Sequence, residues 1–193
     1  MRPVTLARFR QNGVYDGVMF RPAHFALPAF ALALSACAPT MMGAPAGMAP
    51  PMSTTFQAQD FAWSQTPGRN SIVGRLAYQQ GTSRFTCSGA SVILTPETPW
   101  SRHRMSVLYT SAERAAQPVD AVRARTPQAP AGDSSAFIKR ATCDTTDRFS
   151  FSGLPDGAWY VIAIAKPADN AGASMALMRR VVTRNGRVTT VEL

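Results

Sequence analysis

The sequence offers few side chains that could act as catalytic groups. After Cys37 its single histidine is His103, which lies between two arginines in the segment TPWSRHRMSV, predicted to be a loop. Nucleophilic catalysis needs a base beside an activated serine or cysteine, and neither a G-x-S-x-G nor an S-x-x-K motif is present. We therefore predict a solvated histidine, no catalytic residues and a protein that is not an enzyme.

Three aspartates, Asp144, Asp147 and Asp156, lie close to one predicted strand. Carboxylate oxygens at short spacings are ligands that Ca²⁺ accepts. Aspartates at such positions also stabilise turns by accepting hydrogen bonds from the backbone that follows them. The turn interpretation needs no ion, so we predict no metal and no cofactor.

Two tryptophans outside the predicted strands are candidates for ligand contact. Trp63 and Trp100 lie in loop-like sequence. An exposed indole can stack on a sugar ring or anchor a protein partner. Alternatively, both rings cover the open ends of the fold, since large aromatic side chains are usually buried. Trp159 lies within a strand-like run and is assigned to the core.

The segment 25–37, FALPAFALALSAC, has the features of an export signal. It is apolar, follows the positively charged Arg21, is too short to span a bilayer and is interrupted by Pro28. The distance from Arg21 favours Met19 over Met1 as the start. A plain secretory signal cleaved after an A-x-A-like site, or a chance apolar segment, would have a similar composition.

The last four residues of that segment, LSAC, resemble the bacterial lipobox. The resemblance implies that a lipoprotein signal peptidase cleaves before Cys37 and that the Cys37 thiol carries diacylglycerol. Ala38 rather than an aspartate follows, which favours the outer membrane under the sorting rule for such proteins. We expect a signal peptide over 1–36 and a bacterial envelope protein anchored to the membrane at Cys37, facing the periplasm.

The sequence contains three cysteines. With Cys37 assigned to the lipid, Cys87 and Cys143 remain as an even pair on predicted strands of an exported domain, where oxidation is favoured. A disulfide between them would contribute about 4 kcal/mol in the chain-entropy model. Two buried thiols or a metal site are the alternatives, and a metal site needs more ligands than the sequence offers.

Residues 38–59, APTMMGAPAGMAPPMSTTFQAQ, contain no charge and show neither helical nor strand periodicity. Sequence rich in proline and alanine is typical of an extended spacer. Its methionines could bind a soft metal, but no histidine or cysteine accompanies them. We assign 37–68 to a disordered tether and 69–193 to the folded domain.

Composition gives little support for nucleic-acid binding. The formal net charge is +9, and 16 basic and 10 acidic residues follow Cys37. The sequence has no basic run of five, no alternation of basic and aromatic residues and no nucleic-acid-binding motif. The excess of positive charge would favour anionic partners such as membrane headgroups.

From residue 70 onward, apolar and polar residues alternate in short runs. Residues 112–134 are predicted to be a long loop, and Asn185-Gly186 favours a tight hairpin turn. The predicted strands are, in chain order, 72–78, 85–96, 105–109, 136–142, 148–152, 158–165, 175–183 and 187–193. Seven or eight short strands without a sustained helix predict an all-β fold, an antiparallel β-sandwich.

The best-defined segment is FSFSGLPDGAWYVIAIA, residues 149–165. Phe149 and Phe151 point to one face of a strand, and the GLPDG sequence then reverses the chain. The run that follows is apolar on both faces. A strand of that kind is typically central in its sheet or covered on both sides.

This segment and two others resemble the bacterial carboxypeptidase regulatory-like domain, which is related in fold to transthyretin. The family's opening strand matches SIVGR (71–75), its next strand matches GASVILTP (89–96), and its GLP corner matches the run from Asp144 to Ala163. The resemblance covers residues 70–165. It implies a transthyretin-like sandwich without catalytic residues, and related sandwiches include starch-binding domains.

These observations lead to one functional prediction and one alternative. We expect an envelope lipoprotein, held to the membrane through Cys37, whose non-catalytic sandwich is a structural or protein-interaction module. The alternative is a module that binds cell-wall or surface glycans, which would require aromatic rings exposed together on one face or rim.

Overall fold

Ten strands and two α-helices are found in the part of the chain that the structure describes. This computed structural model describes residues 50–193, so Cys37, the predicted signal segment and the first part of the predicted tether lie outside it. In chain order the strands β1 to β10 are Asn70–Arg75, Gln79–Gln80, Ser83–Thr86, Ser91–Pro96, Arg114–Pro118, Lys139–Thr142, Arg148–Leu154, Gly157–Pro167, Met175–Thr183 and Val188–Glu192. The α-helices are α1 (Pro99–Tyr109) and α2 (Val119–Arg125), and 3-10 helices cover Ala58–Gln65, Thr126–Gln128 and Ser135–Phe137. No helix within the described range is long and apolar enough to cross a membrane.

A large, antiparallel sheet is built around β8. This strand pairs with β9, with β4 and, near its end, with β3. The sheet continues from β4 to β6, from β9 to β5 and from β3 to β2. Since β8 has neighbours on both edges, the central position predicted for it is confirmed.

A small sheet of three strands covers one face of the large sheet. Its middle strand β1 pairs antiparallel with β7 and parallel with β10. Along β7 the side chains of Phe149 and Phe151 are buried, whereas Ser150 and Ser152 are exposed. The predicted β-sandwich is confirmed, and it is antiparallel apart from the β1–β10 pair.

The main core lies between the two sheets. Each of its larger side chains leaves water on folding and stabilises the protein by about 1.5–3 kcal/mol. The fully buried members include Ile72, Val92, Leu94, Leu154, Trp159 and Val161. This core therefore depends on the side chains that alternate inward along β1, β4, β7 and β8.

Helices cover part of the outer face of the large sheet, contrary to the prediction of no sustained helix. Met105, Leu108 and Tyr109 of α1 are buried in one cluster with Tyr160 of β8. The strand predicted over 105–109 is wrong. Its apolar residues alternate as in a strand, but they also have the i, i+3, i+4 spacing of a helix, and the helix is the structure that forms.

The loop predicted over 112–134 is also corrected. The edge strand β5 pairs with β9, and α2 follows it directly after Pro118. No residue of β5 is fully buried. A half-buried edge strand made mostly of alanine and polar residues lacks the apolar alternation by which strands are recognised.

Both turns that were expected to form hairpins instead carry the chain from one sheet to the other. The GLPDG turn joins β7 of the small sheet to β8 of the large sheet, and Asn185-Gly186 joins β9 to β10. Asn185 and Gly186 have φ angles of 61° and 66°, as a type I′ turn requires. The hairpin prediction is therefore correct about the turn conformation and wrong about the pairing of the strands.

One hydrogen-bonded group ties these two crossings together. The side-chain amide of the buried Asn70 donates to the Leu154 carbonyl at 2.9 Å and to Asp156 Oδ1 at 2.8 Å. Asn70 Oδ1 accepts from the Arg187 backbone N–H at 3.0 Å, and Asp156 Oδ1 accepts from that of Asn185 at 3.0 Å. Asn70 thus satisfies buried backbone groups of both connections.

The packed part of the chain begins before residue 69. The 3-10 helix Ala58–Gln65 contains Phe61, which is fully buried and whose ring centroid lies 4.9 Å from that of Phe137. The assignment of 37–68 to a disordered tether is corrected for this helix. A short helix that is held by two aromatic residues, Phe61 and Trp63, shows no periodicity in the sequence.

Candidate functional site

The helices leave one part of the outer face of the large sheet uncovered, and this part forms a cleft. We call it the isoleucine cleft, because its floor consists of Ile93, Ile162 and Ile164, with Ile138 beside them. Its volume is about 400 Å³. Ile93 and Ile162 lie opposite each other on β4 and β8, and Ile164 is 42% exposed. An open cleft with an aliphatic floor is a feature of binding surfaces.

Helix α1 forms one wall of the cleft and begins at a strong capping sequence. The Thr98 hydroxyl accepts a hydrogen bond from the Ser101 N–H at 3.0 Å, and the Ser101 hydroxyl accepts one from the Thr98 N–H at 2.8 Å. Pro99 occupies the first turn, where its missing N–H costs nothing. The T-P-x-S pattern is thus a signal by which sequence analysis could have located this helix.

A buried carboxylate fixes α1 to the sheet. The side chain of Glu97 is 1% exposed and lies between Arg102 of α1 and Arg180 of β9. Its Oε1 accepts from Arg102 at 2.8 Å and from the Tyr160 hydroxyl at 3.0 Å, and its Oε2 accepts from Arg180 Nη2 at 2.6 Å. The partly exposed Glu113 completes the network by accepting from Arg102 at 3.0 Å.

This network keeps Glu97 ionised and Tyr160 protonated. Burial alone would raise the pKa of Glu97, but the hydrogen bonds from Arg180 and Arg102 lower it below its usual range. Burial and the neighbouring Glu97 charge both raise the pKa of Tyr160. Sequence analysis missed Glu97, because nothing in the residues around it distinguishes a buried acid from an exposed one.

The rim of the cleft is polar. Arg104 of α1 lies with its guanidinium 5.5 Å from the centre of the Trp100 ring and donates to the Pro130 carbonyl at 2.9 Å. Asp133 lies across the cleft and accepts from the Ser135 N–H at 2.9 Å. Burial raises the pKa of Tyr109, in the wall, to about 12, so its phenol stays neutral. The rim therefore carries a positive charge from Arg104 on one side of an uncharged floor and a negative charge from Asp133 on the other.

The two predicted ligand-contact tryptophans lie in different packing environments. Trp100 is in α1, not in a loop, and only 2% of its surface is exposed where it lines the cleft. Its indole N–H donates to the Ala131 carbonyl at 3.0 Å. Trp63 is half-buried, and its ring centroid lies 4.9 Å from that of Trp159 at the main core. Neither ring presents an open face beside the other.

His103 lies in α1, so its prediction as a solvated loop residue is wrong. Its Nδ1 is buried and has no hydrogen-bond partner within residues 50–193. The histidine does not line the isoleucine cleft. Its backbone carbonyl accepts from the Ser106 hydroxyl at 2.7 Å, as happens when a serine bonds back to the preceding helical turn.

The predicted disulfide between Cys87 and Cys143 is confirmed. The two Cα atoms are 5.7 Å apart, and both residues are buried. The bond links the break between β3 and β4 to the end of β6. Asp147 lies close to both sulfurs, which gives the one cluster of metal-ligating residue types within 50–193, but the sulfurs are already bonded to each other.

The three aspartates considered for calcium each accept hydrogen bonds within the protein, Asp144 from its own turn and the other two from distant segments of the chain. Asp144 Oδ1 accepts from the N–H groups of Thr146 at 2.7 Å and Arg148 at 2.9 Å. The backbone hydrogen bond from Arg148 is the largest cause of its lowered pKa. Asp147 Oδ1 accepts from the Cys87 N–H at 2.8 Å, and Asp156 belongs to the Asn70 group described above. The turn contact predicted from the sequence is confirmed for Asp144, whereas the side chains of Asp147 and Asp156 instead tie distant parts of the chain together.

A second groove lies on the inner face of the large sheet, where the narrower small sheet does not reach. We call it the arginine groove, because Arg114 of β5 and Arg179 of β9 line it. Its volume is about 420 Å³, and Tyr78, Leu177 and Leu193 also contribute to its surface. This groove was not predicted from the sequence, because β5 was predicted to be a loop.

Comparison with known proteins bears on the fold alone. No family model matches the sequence, and a search of curated proteins finds no match. Among solved structures, the chain is similar to a proposed carbohydrate binding protein from Pseudomonas aeruginosa, with 21% sequence identity and a TM-score of 0.52. The alignment covers 72% of this chain and 96% of that one. The likeness shows a shared β-sandwich fold, while membership of the carboxypeptidase regulatory-like family stays a prediction.

Proposed function

We propose that this chain is a lipid-anchored protein of the bacterial cell envelope whose sandwich is a non-catalytic module that binds a partner protein. The observation that carries this proposal is the isoleucine cleft. Ile164 is 42% exposed there, beside two further isoleucines and a wall fixed by a buried ion network. A rigid, aliphatic surface that stays open to solvent favours binding over a purely structural role.

The chemistry of the cleft favours a protein segment that carries aliphatic side chains next to an acidic residue. Its floor is branched and aliphatic, whereas sugar binding by stacking needs flat aromatic faces. The rings of Trp100 and Tyr109 are almost fully buried. On the rim, Arg104 complements a negative charge on the partner and Asp133 across the cleft repels one, so an acidic residue of the partner fits beside Arg104. The excess of basic over acidic residues after Cys37 also favours a negatively charged partner.

Anchoring at Cys37 is the second part of the proposal. The lipobox-like LSAC sequence supports it, and the uncharged segment that follows is long enough to separate the sandwich from a membrane. Intact mass of the protein extracted from membranes tests it. Diacylglycerol at Cys37 adds a mass that Cys37→Ser removes, and a mature chain without acyl groups would contradict the anchor.

Photo-cross-linking in cells tests the binding surface. A benzophenone amino acid replaces Ile164 in the full-length chain, and the matched control replaces Val188, which is apolar, 67% exposed and in the small sheet. We expect a discrete protein adduct at position 164 and not at 188. Mass spectrometry should then place the cross-link on an aliphatic residue of the partner that has an acidic neighbour.

Two outcomes would contradict the proposal. Equal adducts at both positions would mean that the cleft is not a preferred surface. An adduct formed only with a second copy of the chain would identify self-association instead. The same probe in an Ile93→Asp background separates the cleft from a chance encounter, because a charge on the floor should abolish the adduct.

Glycan binding is the second candidate function. Its support is the structural likeness to the proposed carbohydrate binding protein, and the alignment covers nearly all of that protein. A glycan array with the full-length chain carrying Cys37→Ser tests it, with Trp63→Ala and Trp100→Ala as variants. Specific binding that either variant abolishes while thermal unfolding stays cooperative would favour the glycan function over the protein partner.

A further inference from the structure

Two arginine pairs lie on opposite faces of the large sheet, and they differ in how their charge is balanced. Arg179 and Arg180 are consecutive in β9 and therefore point to opposite faces. On the outer face, Arg180 and Arg102 share the buried carboxylate of Glu97. On the inner face, Arg179 lies directly opposite Arg114 in the β5–β9 register. The outer pair is neutralised, so the inner pair is the one whose charge needs an explanation.

The inner pair has no carboxylate partner among residues 50–193. Glu192 lines the arginine groove, but its carboxylate binds Arg75 at 2.6 Å, and Arg179 donates only to its backbone oxygen, at 2.9 Å. The guanidinium of Arg114 donates no hydrogen bond within the same range. Like charges directly opposite on paired strands destabilise a sheet. An anion bound between the guanidinium groups of Arg114 and Arg179 would attract both and so offset their mutual repulsion.

The geometry selects the class of anion. Two guanidinium groups present planar forks of N–H donors that match the oxygens of a phosphoryl group, and a dianion matches their combined charge. The remaining wall of the groove combines apolar surface from Leu193 and the ring of Tyr78 with the polar side chains of Gln79 and Glu192. Such a wall can hold the organic part of a phosphate ester.

We propose that the arginine groove binds a phosphoryl dianion, either as free phosphate or as the phosphate monoester of a lipid headgroup, through Arg114 and Arg179. This site is separate from the isoleucine cleft, because it lies on the other face of the large sheet. It goes beyond the proposed function, and neither depends on the other for its test.

Titration of the full-length chain carrying Cys37→Ser with inorganic phosphate tests the site. Binding is followed by the shift in thermal midpoint relative to chloride at the same ionic strength, because a ligand of the folded state raises that midpoint. We expect saturable stabilisation, with affinity weakened about tenfold or more by Arg114→Gln or Arg179→Gln. The matched control Arg84→Gln removes the same charge from the exposed position of β3 and should leave the affinity unchanged.

A second readout distinguishes binding from general stabilisation by ions. Without phosphate, Arg114→Gln should raise the thermal midpoint, because it relieves the repulsion from Arg179. When phosphate is added, the thermal midpoint of Arg114→Gln should rise by less than that of the wild type. Two results would overturn the proposal. One is that Arg84→Gln weakens phosphate binding as much as Arg114→Gln does. The other is that phosphate stabilises the chain no more than chloride does and that the chain is not retained on the vesicles described below.

Vesicles separate the two sources of phosphate. Phosphatidylcholine vesicles containing phosphatidic acid present a phosphate monoester, and phosphatidylcholine alone is the control. Retention that requires phosphatidic acid, Arg114 and Arg179 identifies a lipid headgroup. Saturable binding of inorganic phosphate without such retention identifies the free anion.

Discussion

The isoleucine cleft and the arginine groove are two uncovered areas of one sheet, and they differ in which elements leave them open. The small sheet covers the inner face except beside β5 and the middle of β9, where Arg114 and Arg179 lie. Helices α1 and α2 cover the outer face except along β4 and the end of β8, where Ile93 and Ile164 lie. The same sheet thus presents an aliphatic area on one face and a cationic area on the other.

The difference shows that the width of the covering layer decides which part of the large sheet is exposed. The sequence of the exposed strands then decides whether that part is apolar or charged. A three-stranded layer spans roughly 14 Å at about 4.8 Å per strand, which is less than the large sheet occupies. Whatever side chains alternate inward at the uncovered edge become surface. Arginine at these positions of β5 and β9 gives charge, and isoleucine on β4 and β8 gives an apolar floor.

The largest expected effect on this comparison comes from Glu97, which fixes the wall of the isoleucine cleft. Glu97→Gln leaves Arg102 and Arg180 without their buried partner, which should lower the free energy of unfolding by about 3 kcal/mol. Urea unfolding measures it. The control Glu113→Gln, in the same network but 59% exposed, should cost less than about 1 kcal/mol. Equal costs would mean that the network does not hold α1.

The same network predicts a dependence of stability on pH. The pKa of Glu97 is lower in the folded protein than in the unfolded chain. Its stabilisation is therefore complete above the ordinary range of a glutamate and is lost as pH falls through the folded pKa. The difference in unfolding free energy between the wild type and Glu97→Gln should shrink on acidification. A constant difference would exclude Glu97 as the titrating group.

A smaller loss is expected at Asn70, which serves both sheet crossings and neither groove. Asn70→Ala leaves the Arg187 N–H and the Leu154 carbonyl without their side-chain partner, at a cost of about 1–3 kcal/mol. Chemical denaturation measures the loss. Asn185→Ala would strain the turn but leave the hydrogen bonds of the Asn70 side chain intact, so its loss of unfolding free energy should be smaller. Phosphate affinity should stay unchanged in both.

Removal of one inner arginine should have the opposite sign. Arg114→Gln is expected to raise the free energy of unfolding by about 0.2–1 kcal/mol in phosphate-free buffer, because the opposed charges are separated. Thermal unfolding at low salt measures this gain, and added salt should reduce it. A loss of stability would indicate that Arg114 already has a compensating partner.

The smallest effect on stability is expected at Ile164. Because its side chain is 42% exposed, Ile164→Asp should change the free energy of unfolding by no more than about 0.5 kcal/mol. Binding of the partner identified by cross-linking should nevertheless be lost. Val188→Asp has a similar expected effect on stability and should retain binding. A large loss of stability would show that Ile164 belongs to the core.

The sandwich was predictable from sequence because its inner strands alternate strongly. The alternating run around Phe149 and Phe151 indicated a strand with one buried face. The apolar run that became β8 indicated a central strand. The pairing of strands was not predictable in the same way. Glycine- and asparagine-rich turns report the local backbone, whereas the sheet that a strand joins depends on contacts with β1 and β4, far away in the chain.

The two grooves could not be predicted for a related reason. Each lies where a covering layer leaves part of the large sheet open, and one element beside each groove was predicted incorrectly, α1 at the isoleucine cleft and β5 at the arginine groove. Residues 105–109 fit a helix as well as a strand, and β5 has no apolar alternation. The disulfide was accessible from the count of cysteines, whereas the burial of Glu97 depends on Arg180, 83 positions later.

The most direct test of the two-site account is a single NMR titration series on the full-length chain carrying Cys37→Ser, with isoleucine methyl and arginine side-chain signals assigned. The probes are inorganic phosphate and an acetylated peptide with two leucines beside an aspartate. We predict that the peptide shifts the methyl signals of Ile93, Ile162 and Ile164, and that phosphate shifts the Arg114 and Arg179 signals. Shifts of the same signals by both probes, or no shift of the cleft methyls by the peptide, would contradict the account.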